Sequence, residues 1–596
     1  MKISYNWLKE FIDIKETPEA LGEVLTQTGL EVEGIEVVEQ IPGGLEGLVV
    51  GEVVECVPHP NADKLKLTKV DIGNGNLLPI VCGAPNVAQG QKVVVATVGT
   101  TIYPTDGDPF KIKKAKIRGE VSEGMLCAED EIGLGSGHEG LLLLGSDKKT
   151  GTAVKDLFNT GSDYVFEIGL TPNRGDATSH MGTARDLKAY FGRPLKIPTA
   201  SAQPVKKEHP VEVVVEDHEA CPRYSGVTIR GVKVAPSPDW LQWKLKSVGL
   251  SPINNVVDIT NYVMMAIGQP MHAFDADKIK GGKVIVKKLA AGTKFKTLDE
   301  VERSLSSDDL MICDDQGGMC IAGVFGGVNS GITEKTTNVF LESAFFSADS
   351  VRATAMRHSL STDASFRFER GTDPAMTIPA LHWATNLILE IAGGYVASDY
   401  VDIYPNNIEP MQIKTTFRNF ERLIGKHISD DQVISILNSL DIETTGLTPE
   451  GFTAVVPPYR SEVTREADLV EEVLRIYGIN NVELNEDTLK NASLQDNSKE
   501  PYKVFEELSV FLSGRGYMEI ITNSLTNPEY FKKAPISDLQ PVEILNKSSE
   551  ELGYLKTTPI YTALESLRHN INRRKKNLKF FELCRIYGVK GDKYFE

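Results

Sequence analysis

The sequence predicts a multidomain α+β protein, and three observations predict it. Its 596 residues amount to on the order of four folded units at about 150 residues each. Helical periodicity and short β-branched runs alternate along the chain instead of segregating into one half. A Pro-rich stretch, GRPLKIPTASAQP (192–204), and a polar one, NEDTLKNASLQDNSKE (485–500), read as linkers between those units. Composition removes other classes. Hydrophobic residues at 41% and charged residues at 24% are ordinary for globular protein. No run of about 18 apolar residues occurs, so no membrane span is expected. The N-terminus, MKISYNWLKEFIDIKE, lacks the apolar core and small-residue cleavage site of a secretory signal. Seven cysteines at 56, 82, 127, 221, 313, 320 and 584 include no CxxC pair, which fits a reducing cytoplasm and not a disulfide framework or zinc ribbon.

Taken in order, residues 1–39 read as helical and acidic. Thr17 and Pro18 form an N-cap and N1 pair, Ala20, Leu21, Val24 and Leu25 share a face, and Gly29 is the stop. Residues 40–154 change texture to short β-branched runs such as GLVVGEVV (47–54) and KVVVATV (92–98), divided by Gly, Pro and Asn. That is the pattern of a small antiparallel barrel of OB-like size. A connecting segment, 155–205, carries a helix near Ala184 to Tyr190. A mixed α/β unit, 211–400, opens with the strand-like VEVVVED (211–217) and VTIRGVKV (227–234). It continues with a helix from Asp239 to Ser247 and closes with an apolar helix from Ile378 to Ala392, stopped by Gly393 and Gly394. Residues 408–484 contain SDDQVISILNSL (429–440), with Ser429 and Gln432 as a capping box and Val433, Ile436, Leu437 and Leu440 on one face. A last unit, 495–596, is expected to be still in progress at Glu596.

The formal charge is −18, but it is unevenly spread. Residues 61–120 hold nine Lys/Arg against five Asp/Glu, and five of the nine lie in KIKKAKIR: Lys111, Lys113, Lys114, Lys116 and Arg118. Residues 571–596 hold eight against three, including Arg573, Arg574, Lys575 and Lys576 in a row. A basic island on a barrel suits contact with a nucleic-acid backbone; a solvated loop is the other reading of charge alone.

Longer motifs carry more. HPNADKLKLTKVDIG (59–73), IVCGAPN (80–86) and KIRGEVSEGMLCAEDEIGL (116–134) resemble the tRNA-binding OB domain shared by some tRNA synthetases and accessory proteins. NNVVDITNY (254–262), GQPMHAFDAD (268–277), GVFGGVNSGIT (323–333), LESAFF (341–346) and SLSTDASFRFERGTDP (359–374) resemble the central region of the bacterial phenylalanyl-tRNA synthetase β-subunit family. Taken alone, His272 among apolar residues reads as a core histidine. The resemblance instead implies an editing module that hydrolyses tRNA mischarged with tyrosine, its site falling on Thr260, Asn261, His272, Gly323 and Glu342. The residue types suit that chemistry. A carboxyl such as Glu342 can pair with the para-hydroxyl that distinguishes tyrosine, and an imidazole with an Asn amide can position a water at an ester carbonyl.

In PPYRSEVTREADLVEEVLRIYG (457–478), Asp468, Glu471 and Glu472 follow helical spacing. An acidic face with a Glu471–Arg475 ion pair is the plain reading. The resemblance to the same family implies Mg²⁺ ligands at Glu462, Asp468, Glu471 and Glu472, shared with an α subunit; Glu462 stands where the family usually has Asp. Two short motifs are set aside. GSGHEG (135–140) is followed by LLLL and not by a capped helix, and FRFE (366–369) lies inside the central module.

The resemblance spans all 596 residues and implies a fold and a role. The fold is an OB barrel, a mixed α/β editing module, a small helical (winged-helix-like) domain and the start of a class II synthetase-like antiparallel-sheet domain. The role is tRNA(Phe) binding and editing in a cytoplasmic (αβ)₂ heterotetramer, with no membrane association, whose α subunit uses ATP to charge the tRNA. Family members continue into a C-terminal anticodon-binding module that is not expected here. A free-standing editing hydrolase and a non-enzymatic tRNA-binding scaffold are the alternatives.

Overall fold

Thr17 begins the first long helix as its position suggests: its side chain accepts from the Ala20 N–H, Pro18 occupies the first turn, and Leu21 and Leu25 are buried on Pro18–Gln27. Gly29, at φ 95°, turns the chain into a strand, Glu31–Glu39, so the first forty residues are not helical throughout. That strand and Lys2–Ser4 both pair antiparallel with Ser162–Gly169. The N-terminal and connecting segments therefore share one sheet. This computed structural model describes residues 1–596 except 74, 136, 159, 209 and 484–499, so the polar linker lies outside the described residues up to Glu500. The chain divides into two units, Met1–Glu483 and Leu484–Glu596.

Between the paired N-terminal strands lies a near-barrel antiparallel sheet. Its strand order is Gly124–Leu126, Lys92–Thr97, Leu48–Pro58, Lys66–Asp71 and Leu77–Cys82, with Leu143–Leu144 also on Lys92–Thr97. The two ends of that order approach through side-chain and turn contacts: Val81 N–H donates to Ser122 Oγ at 3.1 Å and Glu123 N–H to the Pro79 carbonyl at 2.8 Å.

The central module is two sheets with an apolar layer between them. One runs Met271–Asp275, Asn338–Phe345, Arg223–Arg230 and Tyr395–Val396, and Val401–Ile403 also pairs with Arg223–Arg230. The other runs Glu212–Val215, Lys283–Lys288, Leu310–Cys313, Gly318–Ile321 and Phe325–Gly326. Strand alternation decides which residues enter the layer. Tyr224, Phe274, Phe340 and Ala344 pack into it with Val284, Ile312 and Ile321. Their neighbours Val227, Ala273, Val339 and Leu341 face the other way, with Ile259 and Val263 of the helix Asn255–Ile267 and Leu381 and Ile388 of the helix Thr377–Ile391.

Residues 411–477 form three strands and three helices. Val433, Ile436, Leu437 and Leu440 are buried as expected, but the Ser429 side chain makes no capping bond to the helix Asp430–Ser439. Gln432 N–H donates to the Ser429 carbonyl instead, at 2.9 Å. In the second unit the described strands form two-stranded pairs. Met518–Glu519 runs parallel to Phe580–Phe581, and Leu525–Thr526 runs antiparallel to Tyr554–Leu555. Among the described residues no helix is long and apolar enough to cross a membrane.

Candidate active site

His272 and Glu342 sit directly opposite each other on adjacent antiparallel strands. Opposed residues share a face, so both side chains enter the layer between the two sheets. Gly226 is opposite Glu342 on the other side. Its missing side chain matters, because a Cβ there would lie 2.5 Å from Phe340 Cζ. Two residues along, Tyr224 completes the cluster, and the Cys221 and Cys320 thiols are pushed up by burial first and by the nearby Glu342 second.

Burial sets the electrostatics here. It pushes Glu342 up from the ordinary carboxylate range to about 8, an effect the nearby Tyr224 hydroxyl offsets only in part. Glu342 is therefore largely protonated at neutral pH. Neither Glu342 Oε2 nor the Tyr224 hydroxyl makes a well-aligned hydrogen bond among the described residues, although the two groups lie close enough to interact. Desolvation lowers His272 to about 4, which keeps its imidazole neutral. The His272 ring meets Phe274 edge to face at 4.5 Å, and its Cε1 would lie 3.2 Å from a Cβ at Gly326.

The other expected site residues lie on elements next to these strands. Thr260 and Asn261 are on the helix Asn255–Ile267, which packs on the opposite face of the His272 sheet. Thr260 Oγ1 donates to its own helix, to the Val257 carbonyl at 2.7 Å. Gly323, at φ 68°, turns the chain between Gly318–Ile321 and Phe325–Gly326. A Cβ there would meet Phe346, Phe368 and Val351 first. The glycine that does touch His272 is Gly326, three residues further on. Gly226, Gly326, Tyr224 and Cys320 were not legible as site residues. The Gly-rich run GVFGG was the available signal, but it cannot say which glycine faces the histidine. Arg367 of the FRFE motif is buried and holds backbone oxygens, the Thr178 carbonyl at 3.1 Å and the Asp363 carbonyl at 2.7 Å, so no phosphate can replace them cheaply.

On the barrel, Lys111, Lys113, Lys114, Lys116 and Arg118 are all exposed. Ala115–Ile117 pairs with Glu120–Ser122 through a turn at Arg118 and Gly119, with φ 50° and 104°. Lys114 is held by Glu123 at 2.6 Å.

Comparison with known proteins places these features together. Family models match at 48–153 (tRNA binding domain), 220–393 (B3/4 domain), 413–479 (tRNA synthetase B5 domain) and 486–594 (phenylalanyl tRNA synthetase beta chain CLM domain). The phenylalanine–tRNA ligase beta subunit of Bacteroides fragilis is 50% identical over 100% of this chain and 73% of its own length. The chain belongs to the phenylalanine–tRNA ligase β-subunit family. The Porphyromonas gingivalis and Geobacter metallireducens β subunits are similar at 47% and 42% identity, each over 98% of this chain and over 72% and 73% of their own lengths.

The carboxylates that the family resemblance marks as Mg²⁺ ligands are mostly engaged by groups of this same chain. Arg460 holds Glu462 at 2.6 Å and Glu472 at 2.8 Å, and Arg475 holds Glu472 at 2.6 Å. Two guanidinium groups beside it keep Glu472 low, at about 2, against its burial. Asp468 caps its own helix, accepting from the Thr464 and Arg465 N–H groups at 2.9 and 3.0 Å. Glu471 is exposed, and the Glu471–Arg475 pair is replaced by Glu472–Arg475 and by Arg475–Asp186 at 2.9 Å. Among the described residues no group of three or more His, Cys, Asp and Glu side chains is arranged to hold a metal. Helical spacing put three acids on one helix; the arginines that neutralise two of the four candidates arrive from the helix itself and from the preceding loop.

Proposed function

We propose that this chain is the tRNA-binding and editing subunit of a cytoplasmic phenylalanine–tRNA ligase, assembled with an α subunit as an (αβ)₂ heterotetramer. In that reading the α subunit carries the ATP- and Mg²⁺-dependent charging of tRNA(Phe), and the exposed row Lys111, Lys113, Lys114, Lys116 and Arg118 contacts tRNA phosphates. The β subunit hydrolyses tRNA(Phe) mischarged with tyrosine. Water adds to the ester carbonyl, the bond to the tRNA ribose oxygen breaks, and tyrosine and a free 3′-terminal ribose hydroxyl are released. A match along the whole chain favours this over a free-standing hydrolase or an inert scaffold.

The observation that carries the editing reading is the buried Glu342 carboxyl opposite His272, its Oε2 without a well-aligned hydrogen bond among the described residues. A protonated Glu342 can both donate to and accept from a phenolic hydroxyl. A phenylalanyl ring offers nothing to Oε2, and leaving a buried polar atom unpaired costs about 1–3 kcal/mol, roughly one to two powers of ten in selectivity. His272, held near 4, is a weak proton acceptor, so its neutral ring serves mainly to orient the attacking water. Thr260 and Asn261, on the helix behind the sheet, and Gly323, at the turn, act as supports of this arrangement.

Deacylation of Tyr-tRNA(Phe) by the assembled protein tests the assignment. Replacing His272→Ala is expected to slow hydrolysis by at least about tenfold, within the range for losing one acid–base or positioning group. Undiminished hydrolysis would remove His272 from the mechanism.

A further inference from the structure

A cavity opens beside Gly327, the chain neighbour of the glycine that touches His272. It measures about 470 Å³ and is lined by Lys278, Lys280, Lys294 and Lys296 together with Gly327 and Ser330. Gly327 adjoins Gly326, the residue against which the His272 ring lies. The lysines converge because their elements do. Lys294–Lys296 is one strand of a hairpin whose next residue, Thr297, bridges to Gly327. Lys278 and Lys280 follow the His272 strand directly, in the turns Ala276–Lys278 and Lys280–Gly282.

Carboxylates match these lysines in number, but the Lys294 and Lys296 pairs are long and open to solvent. Asp314 also lines it, but its oxygens accept from the backbone N–H groups of Lys280, Gln316 and Gly317 at 2.8–3.0 Å. Lys294 faces Glu302 at 3.7 Å and Lys296 faces Glu300 at 3.8 Å, with those glutamates 63% and 81% exposed. Such solvated pairs are worth about 1 kcal/mol or less and yield readily to a polyanion. Lys278 stands 3.6 Å from Asp275, whose Oδ2 already accepts from Thr336.

We infer that this lysine-lined cavity is a phosphate subsite that receives the sugar–phosphate backbone of the single-stranded 3′ end of the aminoacyl-tRNA. The inference rests on the editing reading of His272 and Glu342 and extends it to the nucleic-acid part of the same substrate. Its chemistry follows from connectivity. The scissile ester and a 5′-phosphate are carried by one ribose, so a site that seats the ester beside His272 must accommodate phosphate a few bonds away. Lysine ammonium groups on mobile stems suit a backbone bound without base readout.

The test compares two esters hydrolysed by the assembled protein: Tyr-tRNA(Phe) and tyrosyl-adenosine, which has the ribose ester and no phosphate. For the pair Lys280→Gln, Lys296→Gln, the ratio of kcat/KM for Tyr-tRNA(Phe) to that for tyrosyl-adenosine is expected to fall about tenfold. The salt dependence of KM for the tRNA should become shallower by roughly 0.7 log units per log unit of salt for each phosphate left without a lysine. Lys280→Arg, Lys296→Arg keeps the charge and should restore both, which separates charge from folding. A wild-type ratio and salt slope in the Gln pair would overturn the phosphate subsite and leave editing standing. Failure of the unmodified protein to hydrolyse either ester would overturn the editing reading, and this inference with it.

Discussion

At the residue scale, burial keeps two side chains of the proposed site uncharged, Glu342 and His272. Glu342 has its folded-state value raised to about 8 from 4.5. Its contribution to stability is therefore fully present below about 4.5 and is lost as pH rises through 8. His272 has its value lowered to about 4 from 6.5, so its contribution is present above 6.5 and lost as pH falls through 4. Glu342→Gln is expected to hold its Tm better than the unmodified protein between pH 6 and 9, because an amide cannot ionise. Thermal unfolding across that range checks this, and parallel curves for the two proteins would mean that Glu342 ionises freely in the fold. The residue types of the proposed site could be read from GQPMHAFDAD and LESAFF. That the glutamate is protonated could not, since protonation follows from burial and burial is made by strands far apart in sequence.

At the element scale, the helix Glu466–Tyr477 divides its acids between two environments. Asp468, Glu471 and Glu472 have the i, i+3, i+4 pattern, yet Glu472 is turned into an arginine network. That network ties this helix to the connecting segment: Arg174 pairs with Asp176 at 2.9 Å and Asp186 at 2.6 Å, and Arg475 reaches the same Asp186. All of these side chains are at most 10% exposed. Arg460, 2% exposed between Glu472 and Glu462, is its hub. Arg460→Ala leaves Glu462 without its guanidinium and Glu472 with Arg475 alone, and is expected to cost about 3–5 kcal/mol. Glu471→Ala, at an exposed position, should fall within about 0.5 kcal/mol. Denaturant unfolding of the two variants decides it; equal effects would mean that the network adds nothing to stability. Helix starts and apolar faces, as at Thr17 and Leu437, are local and were legible. The missing Ser429 side-chain cap and the arginines that arrive from other segments depend on tertiary packing and were not.

At the scale of the whole molecule, the order of domains follows from texture and motif, whereas the sheet that joins Lys2–Ser4 and Glu31–Glu39 to Ser162–Gly169 does not. Its strands are separated by more than a hundred residues, and nothing local marks such a pairing. The charge of −18 likewise hides its own distribution. The exposed lysines of the barrel and the lysines beside the His272 site are positive surfaces on an acidic protein, suited to a polyanion that meets two places on one chain. The central claim is that the β subunit recognises the tyrosyl hydroxyl through Glu342, and the most direct measurement is the ratio of deacylation rates for Tyr-tRNA(Phe) and Phe-tRNA(Phe). The account predicts that the unmodified protein prefers the tyrosyl ester by at least about tenfold and that Glu342→Ala brings the ratio close to one. An unchanged preference in Glu342→Ala would contradict it.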